Sequence, residues 1–450
     1  MMTFIKEFED YCQQYGKPER IELLLCDLNA VLRGKWLPGD QVDNLINGKV
    51  RLPLSTYAPN IMGVGVDSSG LGLVNGDPDG IIVPILGTLK PVPWAEEPTA
   101  QLMIDMLDET GEISYLSPRE QLTRVAKNFN DNGWHPVAAA ELEFYVIEER
   151  QDPNEAPVPP IGSPEAQNYD MESLSRFQGM LDDILQASEQ QGLATDTLIA
   201  EFGPGQFEVN FHHTNDILKA ADTALLFRRI VRYVAKKHGL EATFMAKPYK
   251  NYPGSGMHLH VSVLDDDGKN IFTPEDKEQT HISLPLEYAV AGVLDTMREM
   301  QAVFAPHMNS LRRFGLNGFA PNAPEWGYDH RGAAIRIPEV NGPGARLEHR
   351  ICGADVNPYL AITAILGGML HGLKTKPQLT PPLDTDSQNA IEPLDSNWLE
   401  TITRFSNSAF AKSLYGEDYH HVFTQVKLNE VEEISTEISP IEYRLYLSRL

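Results

Sequence analysis

AAAELEFY, residues 138–145, sets two carboxylates into an apolar run that holds no basic residue. Side chains of an extended strand alternate between faces, so Glu141 and Glu143 point one way while Leu142 and Phe144 point the other. Two parallel anions repel, and withdrawing either from water is costly unless something positive meets it. The rest of the chain has to supply those cations, or the pair must sit in solvent.

Working outward, the same alternate spacing of polar groups recurs. GSGMHLHVS (254–262) puts His258 and His260 on one face of a strand, with Ser262 after them. ARLEHRI (345–351) does so for Arg346, Glu348 and Arg350. AEFGPGQFEVNF (200–211) carries Glu201 ahead of a Gly-Pro-Gly turn and Glu208 on the strand after it. Singly, each acid reads as the wet side of a half-buried strand and each histidine as a packing residue. Together they predict one sheet face lined with acids. That donor set suits hard divalent cations, Mg²⁺ or Mn²⁺, rather than structural zinc. Two such ions would neutralise Glu141 and Glu143 and clamp a transferring phosphoryl group.

Arginines supply the complement. Arg336 sits in the apolar strand AAIRIP (333–338), Arg331 precedes it in YDHRG, and Arg313 lies upstream in NSLRRFG. A guanidinium on a buried strand calls for an anion, and its fork fits phosphate or carboxylate. Acids to hold metals and arginines to hold phosphates predict nucleotide-dependent phosphoryl transfer. Neither GxxxxGK[ST] nor HRDxxxxN occurs, so the nucleotide is held by other means.

The bulk numbers frame this reading. At 450 residues, 42% hydrophobic and 22% charged, the chain has room for two domains. A formal net charge of −26 disfavours nucleic acid and anionic membrane as partners. It biases encounter toward metal ions and amines, though acidity also serves solubility alone. Cys12, Cys26 and Cys352, odd in number and without ligand spacing, fit structural thiols of a reducing compartment. MMTFIKEFEDY mixes charges into its apolar positions, unlike a signal peptide. YLAITAILGGMLHGL (359–373) is too short and Gly-rich for a bilayer, so a buried helix is expected there in a cytoplasmic protein.

The N-terminal part reads as an amphipathic helix within the first ~20 residues, then two strand runs around a turn in IELLLCDLNAVLRGKWLP. A Gly/Pro/Ser-rich stretch (53–80) and strands in IIVPIL and QLMIDMLD follow. From LSPREQL, with Ser117 as N-cap and Pro118 in the first turn, strands alternate with long helices. The pattern predicts helices over 118–132, 171–191, 215–238 and 285–304, and strands over 136–147, 206–212 and 257–264. The predicted domains are 1–112 and 113–450, with Pro-rich connections over 150–168 and 374–395 and no internal repeat.

With these segments in hand, the chain resembles the glutamine synthetase family over essentially its whole length. The resemblance rests on ELEF (141–144), PGQFEVN (204–210), ATFMAKPYKNYPGSGMHLHVS (242–262), NSLRRF (309–314), RGAAIRIP (331–338), RLEHR (346–350) and ADVNPYLA (354–361). It implies an α+β fold: a small N-terminal β-grasp domain and a larger catalytic domain with a curved antiparallel sheet and helices. It also implies a homo-oligomer, commonly a dodecamer of two stacked hexamers, with sites shared between neighbours. Carried over by position, Glu143, Glu201 and Glu208 would hold one metal, and Glu141, His258 and Glu348 the other. ATP would lie near His260, Ser262, Arg336 and Arg346, with Asp196 a weaker contact. L-Glutamate would sit against Gly254, Arg313 and Arg350, and Arg331 would stabilise charge on the moving phosphoryl group. The implied reaction phosphorylates the γ-carboxylate of glutamate and lets a nitrogen nucleophile displace the phosphate. Water must be kept out, and the loop 315–325 is the expected lid.

The nucleophile's site departs from the family pattern. Ordinary members carry a Gly-Tyr-Glu-Ala-Pro-like segment whose acid covers ammonium; here LNGFAP (316–321) puts Phe319 at that place. The family's Phe-Asp-Gly-Ser-Ser motif is missing as such. GVGVDSSG (63–70) stands in that region, which leaves Asp67 open as a substitute, while Asp79 in NGDPDGIIVP matches the remaining family aspartate. Pro253 replaces an asparagine before Gly254. A ring in place of an anion suits an alkylamine, whose methylenes pack on it. LRGKWLP (32–38) and EWGYDHR (325–331) resemble the branch that forms γ-glutamylputrescine. The expected activity is ATP-dependent ligation of L-glutamate to a primary amine, putrescine or another polyamine. The alternatives are ammonium as acceptor, another small amine, or a non-catalytic metabolite sensor, the last opposed by the full ligand set. Elsewhere, His212–His213 and His420–His421 are expected as surface or packing pairs and NEVEEISTEI (429–438) as a solvated helix face. Trp36 and Trp94 are expected as core or interface anchors.

Overall fold

The computed structural model describes residues 3–163, 168–276, 281–315, 319–383 and 391–450. Parts of the two Pro-rich connections and of the expected lid, 316–318, lie outside the described residues. The N-terminal strands are β1 (Arg20–Cys26), β2 (Leu32–Pro38), β3 (Arg51–Pro53), β4 (Asp79–Pro84), β5 (Lys90–Pro91) and β6 (Thr99–Leu107). They pair in the order β2-β1-β6-β4-β3, with β5 against β6. TAQLMIDML of β6 is buried along nearly its whole length, as befits a strand covered on both faces.

The second sheet uses β7 (His135–Glu148), β8 (Thr195–Ala200), β9 (Gln206–Phe211), β10 (Leu240–Thr243), β11 (Met257–Leu264), β12 (Trp326–Tyr328), β13 (Ile335–Glu339) and β14 (Arg346–His349). Its order is β12-β13-β14-β11-β7-β9-β8, with β10 also pairing β7, so AAAELEFY lies on a central strand. Phe144 goes to the apolar face, where its ring meets Phe207, Phe227 and Phe244 at 5.6–6.1 Å between centroids. The fold is α+β, as expected.

The helix Pro118–Asn130 starts where the sequence placed it, the Ser117 hydroxyl accepting from the Glu120 amide at 3.2 Å. The apolar run 359–373 is a buried helix, Pro358–Thr375. Its glycines explain its partner: a Cβ on Gly372 would stand 1.9 Å from the Tyr288 carbonyl oxygen, so this helix and Leu284–Met297 touch backbone to backbone. No helix among the described residues is long and apolar enough to cross a membrane.

Several expectations are corrected. The helix over 171–191 is two, Met171–Arg176 and Gln178–Gln190, broken at Phe177, whose ring packs edge-on against Phe207 at 5.4 Å. The helix over 285–304 stops at Met297 and resumes at Gln301. Trp36, expected in the core or at an interface, is not in this chain's core: it is 65% exposed on an edge strand, under the Arg20 guanidinium. Trp94 does pack, stacked on Tyr233 at 5.3 Å. Within 429–438, Glu430 is fully buried rather than solvated. Its carboxylate accepts from Lys427 Nζ (2.9 Å), Asn29 Nδ2 (2.8 Å) and the Ile61 amide (2.8 Å), tying the helix Glu417–Thr436 to the N-terminal segment. His212, His213 and His421 are exposed, and His420 stacks on Phe405 at 5.0 Å.

Candidate active site

Strand register assembles the acids and imidazoles. β11 pairs with β7 so that His258 faces Glu141, and β9 pairs with β7 so that Glu208 faces Glu143. β14 brings Glu348 opposite His260, and β13 brings Arg336 opposite Glu348. The result is a cleft of about 600 Å³. Glu141, Glu143, Glu201, Glu208, Gly254, His258, Arg313, Phe319, Arg331, Arg336 and Arg350 all line it.

Glu141 is the hub. Its two oxygens meet His258 Nδ1 at 3.1 Å and His260 Nε2 at 2.9 Å. Burial works to raise its pKa, but those two hydrogen bonds outweigh it and hold the carboxyl well below the usual range. Glu143 accepts from the Gly256 amide at 2.9 Å and from Gln206 Nε2 at 3.2 Å. Burial, then the Glu201 charge, nevertheless pushes Glu143 up. Glu208 is pushed up to about 9, by burial first and then by Glu143, Glu141 and Glu201. Burial also raises Glu201. Such mutual repulsion among buried carboxylates is what a bound cation would relieve.

Two groups of donors converge within 4.8 Å: Glu141, Glu208 and His258, and Glu141, His260 and Glu348. Without an ion, Glu141 belongs to both groups and His260 joins one of them. Glu143 uses one oxygen on Gly256 and Gln206 and leaves the other 3.9 Å from His258 Nε2. The carboxylate–imidazole chemistry fits divalent cations.

Arginines border the acids. Fully buried Glu348 accepts from Arg336 Nη1 at 2.6 Å and from Arg350 Nη1. Burial would raise the Glu348 carboxyl, but His258 and Arg350 outweigh it and lower it. Arg336 is steadied from its other side by Asp329 Oδ1, at 2.6 and 3.0 Å. Arg346 donates to His260 Nδ1 at 3.2 Å. Arg313, 4% exposed, donates to the Ile351 carbonyl at 2.8 Å and keeps an unpartnered Nε. Gly254 has to be glycine, since a Cβ there would lie 2.5 Å from the Ala246 carbonyl and 2.6 Å from Arg313 Cγ. The Tyr145 hydroxyl holds the adjoining Pro253 carbonyl at 2.9 Å.

His260, Ser262, Arg346 and Glu348 belong to the same strands but do not line the cleft. Asp196 is not brought to it: it lies in a separate depression with Asp182 and Asp183. Asp79, exposed at the start of β4, and Asp67, exposed in a turn, are also outside this chain's cleft. Residues the sequence reading missed are Gln206, which orients Glu143; Asp329, which orients Arg336; and Phe202, whose ring meets Phe319 edge-on at 5.4 Å in the cleft. The visible signal for Phe202 was its place beside Glu201.

Comparison with known proteins shows the family and the fold. Residues 115–446 match the family described as glutamine synthetase, catalytic domain. Gamma-glutamylputrescine synthetase PuuA of Escherichia coli K12 is 34% identical, over 98% of this chain and 94% of its own. Glutamate–isopropylamine ligase of a Pseudomonas species is 29% identical, over 98% of both chains. The solved structure of GmaS with ADP shares the fold with a TM-score of 0.84 at 24% identity, covering 98% of this chain and 99% of that one.

Proposed function

The chain belongs to the glutamine synthetase family, and from that premise we propose that it is an ATP-dependent ligase joining the γ-carboxylate of L-glutamate to a primary amine, putrescine or another polyamine. The observation that carries the choice of acceptor is Phe319, paired with Phe202, where the family's ammonium-covering acid would stand.

A carboxylate is a poor electrophile, so activation comes first: the terminal phosphoryl of ATP passes to the γ-carboxylate, and the amine then displaces phosphate. In our reading Arg313 and Arg350 bind the glutamate carboxylate beside Gly254, and Arg336 and Arg346 take the nucleotide with His260 and Ser262. Arg331, exposed at the cleft, faces the moving phosphoryl group and offsets its charge. Mg²⁺ or Mn²⁺ held by Glu141, Glu143, Glu201, Glu208, His258 and Glu348 would offset charge on carboxylates and triphosphate alike. The two aromatic rings give the amine's methylenes an apolar surface and its ammonium end a π-face. The chain is read as two units, 1–112 and 113–450. Asp79 is assigned to a neighbouring subunit's site in a ring oligomer, where it would accept the amine proton.

The test is ADP release from ATP and glutamate with putrescine, ammonium, methylamine or ethanolamine at matched concentrations. Putrescine should give the highest kcat/KM. Faster turnover with ammonium would overturn it and favour glutamine synthesis.

A further inference from the structure

A second cleft of about 630 Å³ lies between the helix Ile217–Lys237, the segment Asn29–Leu32 and the residues just after β10. It shares no lining residue with the catalytic cleft. Four of its five charged lining side chains are cations, in a chain of net charge −26. Arg228, Arg232 and Lys236 recur at helical spacing and so project along one face. Arg229, the fourth, is already engaged by Glu22 and Gln101.

Arg228 and Arg232 have no such partner. Arg228 is 4% exposed; its Nη2 donates to the Val356 carbonyl at 2.7 Å, while its Nε has no hydrogen-bond partner. No carboxylate pairs with Arg232 among the described residues, and its guanidinium lies 5.5 Å from the centre of the Phe244 ring. Burial, and then the charge of Arg232, pulls Arg228 down to about 10, and burial pulls Arg232 down as well. The one acid of the lining, Asp355, accepts from the Ser310 hydroxyl at 2.7 Å with one oxygen; its other oxygen has no hydrogen-bond partner, and its charge favours the Arg228 cation without forming an ion pair with it. The two guanidiniums lie 6.0 and 5.5 Å from the centre of the same Phe244 ring, and burying both has a cost that a bound oxyanion would lower.

The cleft adjoins the turn that carries Arg313. Ser310, bonded to Asp355, opens the turn Ser310–Phe314. Asn309, just before it, lines the cleft and is held to Lys247 by hydrogen bonds of 2.8 and 3.0 Å.

We propose that this cleft is an effector site for a small phosphorylated metabolite, of sugar-phosphate to nucleoside-monophosphate size, its phosphate read by Arg228 and Arg232 and its body resting on Tyr233 and Phe244. A dianion matches the paired guanidiniums with Lys236 nearby, and the volume exceeds that of bare phosphate. Occupancy would act on Arg313 through Asp355 and Ser310.

The experiment measures binding of inorganic phosphate, glucose 6-phosphate and AMP to the whole protein and to its Arg232→Ala and Arg232→Lys variants, with glucose as control. A probe held only in the catalytic cleft binds parent and variants alike, so the difference reports the second cleft. The expected result is a phosphorylated probe bound at least tenfold more weakly by Arg232→Ala and partly recovered in Arg232→Lys. The same probe should shift the glutamate KM of the parent at least twofold and leave that of Arg232→Ala unmoved. Equal affinities, or no binding by any probe, would overturn the site. An unmoved KM despite binding would overturn its effector role. Altered subunit assembly in Arg232→Ala would assign the cleft to a contact with a second copy instead. The binding arm needs no turnover, so its outcome is separate from the ligase reading.

Discussion

Glu208→Gln separates what this acid costs the fold from what it does for the site. In the metal-free protein Glu208 is 6% exposed, with Glu143, Glu141 and Glu201 around it, and its carboxyl is pushed up to about 9. Its folded pKa lies above its unfolded one. Its contribution to stability is therefore present below the ordinary carboxylate range and is lost as pH rises toward the folded value. Near pH 7.5 the unfolded chain ionises the group and the folded one does not. That mismatch of about three pH units costs at most about 4 kcal/mol. Glutamine keeps the shape and has no proton to lose, though burying its amide returns part of the gain. A net stabilisation of about 2–3 kcal/mol, or about 3–4 °C for a unit of this size, is expected. The assay is thermal unfolding in EDTA from pH 5 to pH 8. The variant should melt above the parent at pH 8, and the gap should close toward pH 5. Adding Mn²⁺ should reverse the order, because the parent gains binding free energy that the variant has lost. A variant less stable than the parent in EDTA at pH 8, or a gap that ignores pH, would refute the account.

Three further outcomes are expected. Phe319→Glu restores an anion at the acceptor site and should raise the ammonium-to-putrescine ratio of kcat/KM by about tenfold or more. Phe202→Ala removes the ring against Phe319, and loss of about 1 kcal/mol should raise the amine KM about fivefold with the glutamate KM unchanged. Glu430→Gln leaves Lys427 buried without its counter-charge and should cost about 3 kcal/mol in denaturant titration. The pairwise replacement Lys427→Met with Glu430→Leu should recover only part of that loss, because the Asn29 amide and the Ile61 N–H lose their acceptor.

How much was legible follows from which interactions are local. The period of two along a strand is a property of the backbone at that point, so Glu141 with Glu143, and His258 with His260, could be assigned to shared faces before any fold was known. Burial of the helix 358–375 was legible for the same reason, its apolar residues running all the way round. Local composition failed where packing overruled it. Phe177 left its helix for a place against Phe207, and Glu430 was drawn out of an acidic surface stretch by Asn29, some four hundred residues away.

By itself the sequence determined the donor types, the faces they share and the family to which they belong. Only the tertiary structure decided which donors meet. The pairing of Glu208 with Glu143, of His258 with Glu141 and of Glu348 with His260 depends on the register of strands far apart in the chain, and a slip of one residue would turn each side chain to the opposite face. The second cleft was likewise invisible, because arginines spaced along a helix mean little until folding removes them from water without an ion-pair partner.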